Sequence, residues 1–265
     1  MITKLYVDSR HGRGPSNDFS INLPESLSFP KRTIARVSEA IIPNSWYTID
    51  EANDGLYVVH EDNAVPRIRK AYLEHQHYTA TQLTTAIQTA LVPLLGLNVV
   101  AHYDQSVNKI VITNPDVFYI PSEEQLESLA VTGWIDPRLR SCNYILENLT
   151  GGQGVPLSST QFMTTQWRSP GVDISRFHSV YIHSSLADNQ VINVNMQRTN
   201  ILKRVSVSSA PGEKIFDSLS NSHDYSNVSE MNVRHITFSL RDREGNLINL
   251  QDQSWSLSIV FDYLE

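Results

Sequence analysis

The sequence predicts a mainly β protein built around a single jelly-roll β-sandwich. In the closing segment, apolar side chains occupy alternate positions from Trp255 to Tyr263, and mostly serine stands between them. Successive side chains of a strand point to opposite faces, so this spacing predicts one buried and one solvated face. Short segments of the same kind occur towards both ends of the chain, separated by turn residues. Between them the apolar spacing becomes helical, which predicts an inserted α+β unit.

The first part of the chain contains three further strand patterns. Residues 19–23 place Phe, Ile and Leu at alternate positions. Residues 33–42 are apolar on both faces, which indicates a more central strand, and Pro43 ends it. Residues 56–59 follow an Asn-Asp-Gly turn and form the next predicted strand. We expect these strands to belong to the sandwich.

A helix is predicted directly after Tyr78. Thr79 is a favourable N-cap residue, and Gln82 three positions later completes a capping box. Tyr78 and Leu83 then occupy the positions of a hydrophobic staple. An apolar stripe follows at helical spacing, and Pro93 with Gly96 is expected to close the helix. The stripe consists of Leu83, Ile87, Ala90, Leu91 and Leu94.

A hairpin and a second, shorter helix complete the inserted unit. Residues 99–104 and 109–113 flank a polar turn and predict the hairpin. Ser122 and Gln125 form another capping box, which predicts a short helix ending near Gly133.

The remaining strands are predicted after a loop rich in Gly, Ser and Thr at 148–160. They lie at 179–185, 201–207, 236–240, 247–250 and in the closing segment. The predicted organisation is a jelly roll formed by 1–65 and 160–265, an inserted α+β unit at 66–135, and a connecting region at 136–159.

Composition argues against several classes of protein. Hydrophobic residues make up 40% and charged residues 18% of the chain, which is typical of a globular protein. The net charge of −7 argues against a nucleic-acid-binding role, which usually requires a basic face. Basic clusters at Lys31–Arg32, Arg67–Lys70 and Lys203–Arg204 are interpreted as solvated strand ends.

No secretion signal and no apolar run long enough to span a membrane are seen. The lone Cys142 agrees with synthesis in a reducing compartment.

No constellation of reactive residues is found, so the chain is predicted to be a non-enzyme without catalytic residues, metal ligands or cofactors. His75 and His77 lack further zinc ligands at a suitable spacing and are interpreted as surface residues. Ser222–Asp224 carries the letters of a catalytic triad, but adjacent side chains point apart. Gly151–Gly154 lacks the lysine of a phosphate loop. Asp242–Asn246 is interpreted as a hairpin turn, in preference to a calcium loop.

Four residues near predicted loops are candidates for an interface: Trp46, Tyr47, Trp167 and Arg168. Trp, Tyr and Arg dominate the binding energy of many protein interfaces. The alternative is that these side chains close the ends of the sandwich core. The sequence leaves both interpretations open.

The sequence also resembles the penton, or minor capsid, proteins of Polinton (Maverick) elements and of related Polinton-like viruses and adintoviruses. The resemblance runs in order along almost the whole chain. It is carried by LYVDSR at 5–10, IPNSWYTID at 42–50, TTQWRSPGVD at 164–173, SVYIHSS at 179–185, SHDYSNVS at 222–229 and the stretch from FSLRDREGNLINL to WSLSIVF at 238–261.

The resemblance implies a structural virion protein, namely a jelly-roll penton subunit. Such a subunit would form homopentamers at the five-fold vertices of an icosahedral capsid and contact the major capsid protein. It would be synthesised in the cytoplasm or nucleus of the host cell and not secreted. The resemblance carries no catalytic residues over to this chain. Two alternatives stay open: a carbohydrate-binding or attachment module that uses Trp167 as a platform, and a hydrolase within a β scaffold.

Overall fold

A computed structural model describes residues 2–51, 53–62, 65–122, 125–127, 142–143, 164–169, 171–187, 191–192, 198–218 and 225–263. Sixteen strands and one α-helix are assigned within these ranges. The first elements in chain order are β1 (Ile2–Asp8), a 3-10 turn (Ser9–His11), β2 (Asp18–Ser28), β3 (Thr33–Pro43), β4 (Gly55–Asp62), β5 (Val65–Tyr72), α1 (Ala80–Leu95), β6 (Val100–Asp104), β7 (Lys109–Tyr119) and β8 (Thr164–Arg168). They are followed by β9 (Ser179–Ser184), β10 (Val191–Ile192), β11 (Arg198–Thr199), β12 (Ile201–Ser206), β13 (Lys214–Asp217), β14 (Ser226–Asn227), β15 (Asn232–Arg241) and β16 (Ser256–Tyr263).

The chain divides into two compact units. The first unit combines Met1–Trp46 with Phe177–Glu265, and the second unit is Tyr47–Arg176. The second unit is therefore inserted in the sequence between β3 and β9. It is wider than the 66–135 insert that the sequence predicts, because β4 and β8 pair with β7 instead of joining the sandwich.

The first unit is a jelly roll of two antiparallel sheets. One sheet has the order β1-β16-β3-β13, with β14 also paired to β3, and is called sheet A here. The other has the order β12-β9-β15-β2 and is called sheet B. Each sheet mixes early and late strands of the chain, which is the connectivity of two interleaved Greek keys. The mainly β, jelly-roll prediction is confirmed.

The closing strand β16 shows how alternation builds the sandwich core. Leu257, Ile259 and Phe261 are buried between the sheets, as is Trp255 just before the strand. The ring of Phe261 stacks on Phe29 with centroids 4.5 Å apart. These positions agree with the alternation in the sequence, since every second side chain of a strand faces the same side.

Residues 247–250 do not form the predicted strand. Leu247 makes a single bridge to Arg241, and the backbone N–H of Ile248 donates to the carbonyl of Leu240. Ile248 and Leu250 are nevertheless buried in the sandwich core. Their apolar spacing therefore reflects core packing at the end of the sandwich, where backbone pairing stops.

The second unit packs α1 against a sheet of order β5-β4-β7-β6, with β8 also paired to β7. The predicted capping box is present: Thr79 Oγ1 accepts from the Gln82 N–H at 3.3 Å, and Gln82 Oε1 accepts from the Thr79 N–H at 3.0 Å. Pro93 does not close the helix as predicted, since it lies inside the last turn. The helix ends before Gly96, whose φ of 97° suits glycine. The buried stripe of α1 consists of Leu83, Thr84, Ile87, Leu91 and Leu95.

The other predicted elements of the second unit are partly within the described residues. The hairpin of β6 and β7 is confirmed. Ser122 and Gln125 exchange both bonds of the predicted capping box, and 125–127 are helical. The continuation of this helix to Gly133 and the predicted loop at 148–160 lie outside the described residues.

Candidate functional site

The four residues predicted as an interface are divided between the two compact units. Trp46 belongs to the first unit, whereas Tyr47, Trp167 and Arg168 belong to the second. Trp46 is 4% exposed and meets the ring of Phe177 edge-on at a centroid distance of 5.6 Å. Its burial is explained by packing at the end of the sandwich, which is the alternative that the sequence left open.

The second unit holds the remaining three candidates in different surroundings. Trp167 lies in β8 opposite Ile112, is 6% exposed, and packs in the core of the unit. Arg168 is exposed beside it, and Tyr47 is half-buried against the ring of His77. A buried indole cannot stack on a sugar, so Trp167 is not the carbohydrate platform that the alternative function required.

No cluster of metal-binding side chains is found in the part of the chain that the structure describes. Groups of three or more His, Cys, Asp or Glu side chains that could hold a metal ion are absent there. His75 instead contacts the carboxylate of Asp54, with Nε2 and Oδ2 3.2 Å apart. Ser222–Asp224 and Gly151–Gly154 lie outside the described residues.

Asp242–Asn246 forms the turn that the sequence favoured over a calcium loop. Asp242 Oδ1 accepts from the backbone N–H of Asn246 at 2.8 Å, and Oδ2 accepts from its side-chain amide at 3.0 Å. Gly245 adopts a φ of 94°. Both carboxylate oxygens of Asp242 are thus used to close the turn.

The outer face of sheet A carries an exposed apolar surface. Tyr6 on β1 is 73% exposed and Phe216 on β13 is 70% exposed. Cross-strand pairing places Tyr6 beside Ser258, and Ser258 beside Glu39. In the next row, Asp8, Ser256, Ile41 and Phe216 follow one another across the four strands. We call this surface the serine trough, because Ser256 and Ser258 form its floor between larger side chains; it consists of Tyr6, Glu39, Ile41, Phe216, Ser256 and Ser258.

The serine trough is both apolar and concave. Tyr6, Glu39, Ile41, Ser256 and Ser258 line part of a cavity of about 550 Å³ that extends to the edge strands β1 and β2. The exposed side chains of Tyr6, Ile41 and Phe216 make this face a candidate binding surface, because apolar patches rimmed by polar residues often mark interaction sites. Sequence reasoning missed this surface. The residues that could have revealed it are Tyr6 in LYV and Phe216 in KIF, which are aromatic and face outward.

The outer face of sheet B is polar and basic. Arg204 on β12, Tyr181 on β9 and Arg241 on β15 lie side by side across three strands, and we call them the arginine row. Arg204 Nε donates to Ser179 Oγ at 2.9 Å, and Arg241 Nε donates to Ser239 Oγ at 3.0 Å. Both guanidinium groups therefore bind neutral oxygens.

His183 lies in the next row of sheet B, opposite Ser239. Burial lowers its pKa, and the nearby Arg241 charge lowers it further, while the contact with Asn200 Oδ1 at 2.8 Å acts in the opposite direction. The fold thus favours neutral His183.

His183 should make the sandwich less stable in mild acid. Its pKa in the fold is below the ordinary 6.5, so the unfolded chain binds more protons as the pH falls below that value. The stabilisation is complete above about pH 6.5 and is lost as the pH falls through the folded pKa. We expect a slope of at most about 1.4 kcal/mol per pH unit in the free energy of unfolding. Urea denaturation is measured at a series of pH values from about 6.5 down through the folded pKa of His183. The free energy of unfolding should change less with pH in His183→Gln than in the exposed-site control His235→Gln. Equal slopes for the two variants would contradict this assignment.

Comparison with solved structures finds a similarity of fold along the whole chain. The fold is similar to that of the mavirus penton protein, known from a crystal structure, with a TM-score of 0.57 and 12% sequence identity. The similarity covers 100% of this chain and 100% of that one. No family model and no curated protein matches the chain. The chain therefore has a jelly-roll fold like that of a viral penton protein, and no helix among its described residues is long and apolar enough to cross a membrane.

Proposed function

We propose that this chain is a non-enzymatic structural subunit of an icosahedral viral capsid, placed at the five-fold vertices as a homopentamer. The observation that carries the proposal is the end-to-end similarity of fold to the mavirus penton protein. That similarity spans the sandwich and the inserted unit together, so it is more specific than possession of a jelly roll alone. Jelly rolls by themselves also serve lectins and enzymes.

The sequence resemblance supports the same role independently. It points to the penton proteins of Polinton elements, Polinton-like viruses and adintoviruses, and we propose that the chain belongs with them. In this role it contacts the major capsid protein and resides in the virion after synthesis in the host cell. A capsid subunit acts by contacting other subunits. The serine trough on sheet A and the arginine row on sheet B are exposed surfaces suited to such contacts.

The carbohydrate-binding alternative is not favoured by any observation on the described residues. The aromatic residue on which it depended, Trp167, is buried in the second unit. Saturable binding of the protein on a glycan array would be needed to support this alternative.

Purified protein should form rings, alone or when co-expressed with its major capsid protein. The expected particle has a mass of about 150 kDa, five times the 30.0 kDa chain, because a closed ring of five copies is the proposed assembly. Light scattering after size exclusion measures the mass, and electron microscopy of class averages measures the symmetry. A chain that stays monomeric under both conditions, or rings of another symmetry, would overturn the proposal.

A further inference from the structure

We propose that the serine trough of one copy binds the arginine row of a second copy, so that sheet A of each subunit meets sheet B of the next. The inference rests on the proposed function, and it names the surfaces through which the subunits assemble. The partner is another copy of this chain. The argument depends on charge, exposed apolar area and the placement of the two faces.

The trough contains a carboxylate without a cationic partner. Glu39 accepts a hydrogen bond from Ser258 Oγ at 3.4 Å, and no cation pairs with it among the described residues. Of the neighbouring cations on this face, Arg36 lies 3.6 Å from Asp262, and Lys4 keeps its charge but lies over the Tyr6 ring at 5.1 Å. Glu39 is therefore the charge that the trough offers to a partner.

The arginine row carries an excess of positive charge. Within the described part of the chain, Arg204 and Arg241 form no ion pair with a carboxylate, and their side chains donate to Ser179, Ser239 and the carbonyl of Gly245. The sandwich core separates them from Glu39 of the same copy, so the two charge types cannot neutralise each other within one subunit. Contact between copies brings them together as charge-assisted hydrogen bonds.

The apolar part of the contact comes from aromatic side chains on both faces. Tyr6 and Phe216 rise on either side of the small serine floor, and both are largely exposed. Tyr181 lies half-buried between the two arginines. Tyr, Phe and Arg are enriched at the centres of protein interfaces, and short serines allow close approach of a partner side chain.

The placement of the faces determines the type of assembly. The trough and the row lie on opposite sides of one sandwich and differ in composition, so the contact is head to tail. Such a contact produces a closed ring or an open filament, whereas a two-fold dimer requires a face that binds itself. A ring subunit needs this heterologous geometry.

A charge-swap experiment tests the inference in the full chain. Glu39→Arg should weaken self-association at least about ten-fold, and so should the double variant Arg204→Glu/Arg241→Glu, because each places like charges opposite each other. The triple variant that combines all three substitutions should restore association. Analytical ultracentrifugation measures the assembly constant, and thermal denaturation checks that each variant is folded.

Glu230→Arg is the matched control, because Glu230 is exposed in the turn before β15, at the opposite end of that strand from Arg241. It should assemble like the unmodified chain. Rings that persist in Glu39→Arg, or loss without restoration in the folded triple variant, would overturn this inference while leaving the capsid role intact. An unmodified chain that forms no assembly, even with its major capsid protein, would overturn both.

Discussion

Phe261→Ala is expected to lower the free energy of unfolding of the sandwich by about 3–5 kcal/mol. Phe261 is fully buried in β16, between the two sheets, and stacks on Phe29. Removal of its ring loses the transfer free energy of the buried carbons and leaves a cavity that the close-packed sheets cannot fill. Urea-dependent hydrogen exchange of the β16 peptides measures the stability of this unit directly.

Phe216→Ala is the matched control for this prediction. It removes the same ring from the same sheet, but Phe216 is 70% exposed on the outer face. Its effect on the stability of the isolated subunit should stay within about 0.5 kcal/mol, as for other surface substitutions. Similar losses for both variants would show that the assigned inner and outer faces of sheet A are wrong.

Asp217→Ala should lower the free energy of unfolding by about 2–3 kcal/mol, although it changes a residue near the surface. Asp217 Oδ1 lies 3.1 Å from the ammonium group of Lys203, whose side chain is only 3% exposed. The pair joins β12 of sheet B to β13 of sheet A. Removal of the carboxylate takes this charge-assisted hydrogen bond away from a buried ammonium group, which is more destabilising than the loss of a surface contact.

The combination Lys203→Met/Asp217→Leu separates loss of a charge partner from loss of packing. It removes both charges and retains apolar volume, so stability should recover most of what Asp217→Ala loses. Chemical denaturation of the three proteins under one set of conditions provides the comparison. A combined variant as unstable as Asp217→Ala would show that the ion pair is not the cause.

The lysine in this pair shows where sequence reasoning failed. Lys203–Arg204 was interpreted as a solvated strand end, because short basic clusters usually are. The structure separates the two residues: Arg204 is exposed in the arginine row, whereas Lys203 is buried beside Asp217. Asp217 lies 14 residues further along the chain, on sheet A, whereas Lys203 is on sheet B. No local pattern around Lys203 contains that information.

The serine trough was missed for a similar reason. In LYV, apolar or aromatic residues occupy three consecutive positions, so alternation alone does not reveal that Tyr6 faces outward while Val7 is buried. The pairing of β1 with β16 decides it. For Trp46 and Trp167 the sequence left an interface and core packing both open, and both rings are buried.

The elements that depend on local interactions can be predicted from the sequence alone. Alternation in β16 and the capping box of α1 were both readable, because each involves residues within a few positions of one another. Tertiary structure alone decided which strands share a sheet, where the inserted unit begins and ends, and which side chains of each sheet face outward. Those features depend on pairing between residues up to about 260 positions apart, such as Thr3 with Phe261, and strand alternation is the same whichever partner a strand has.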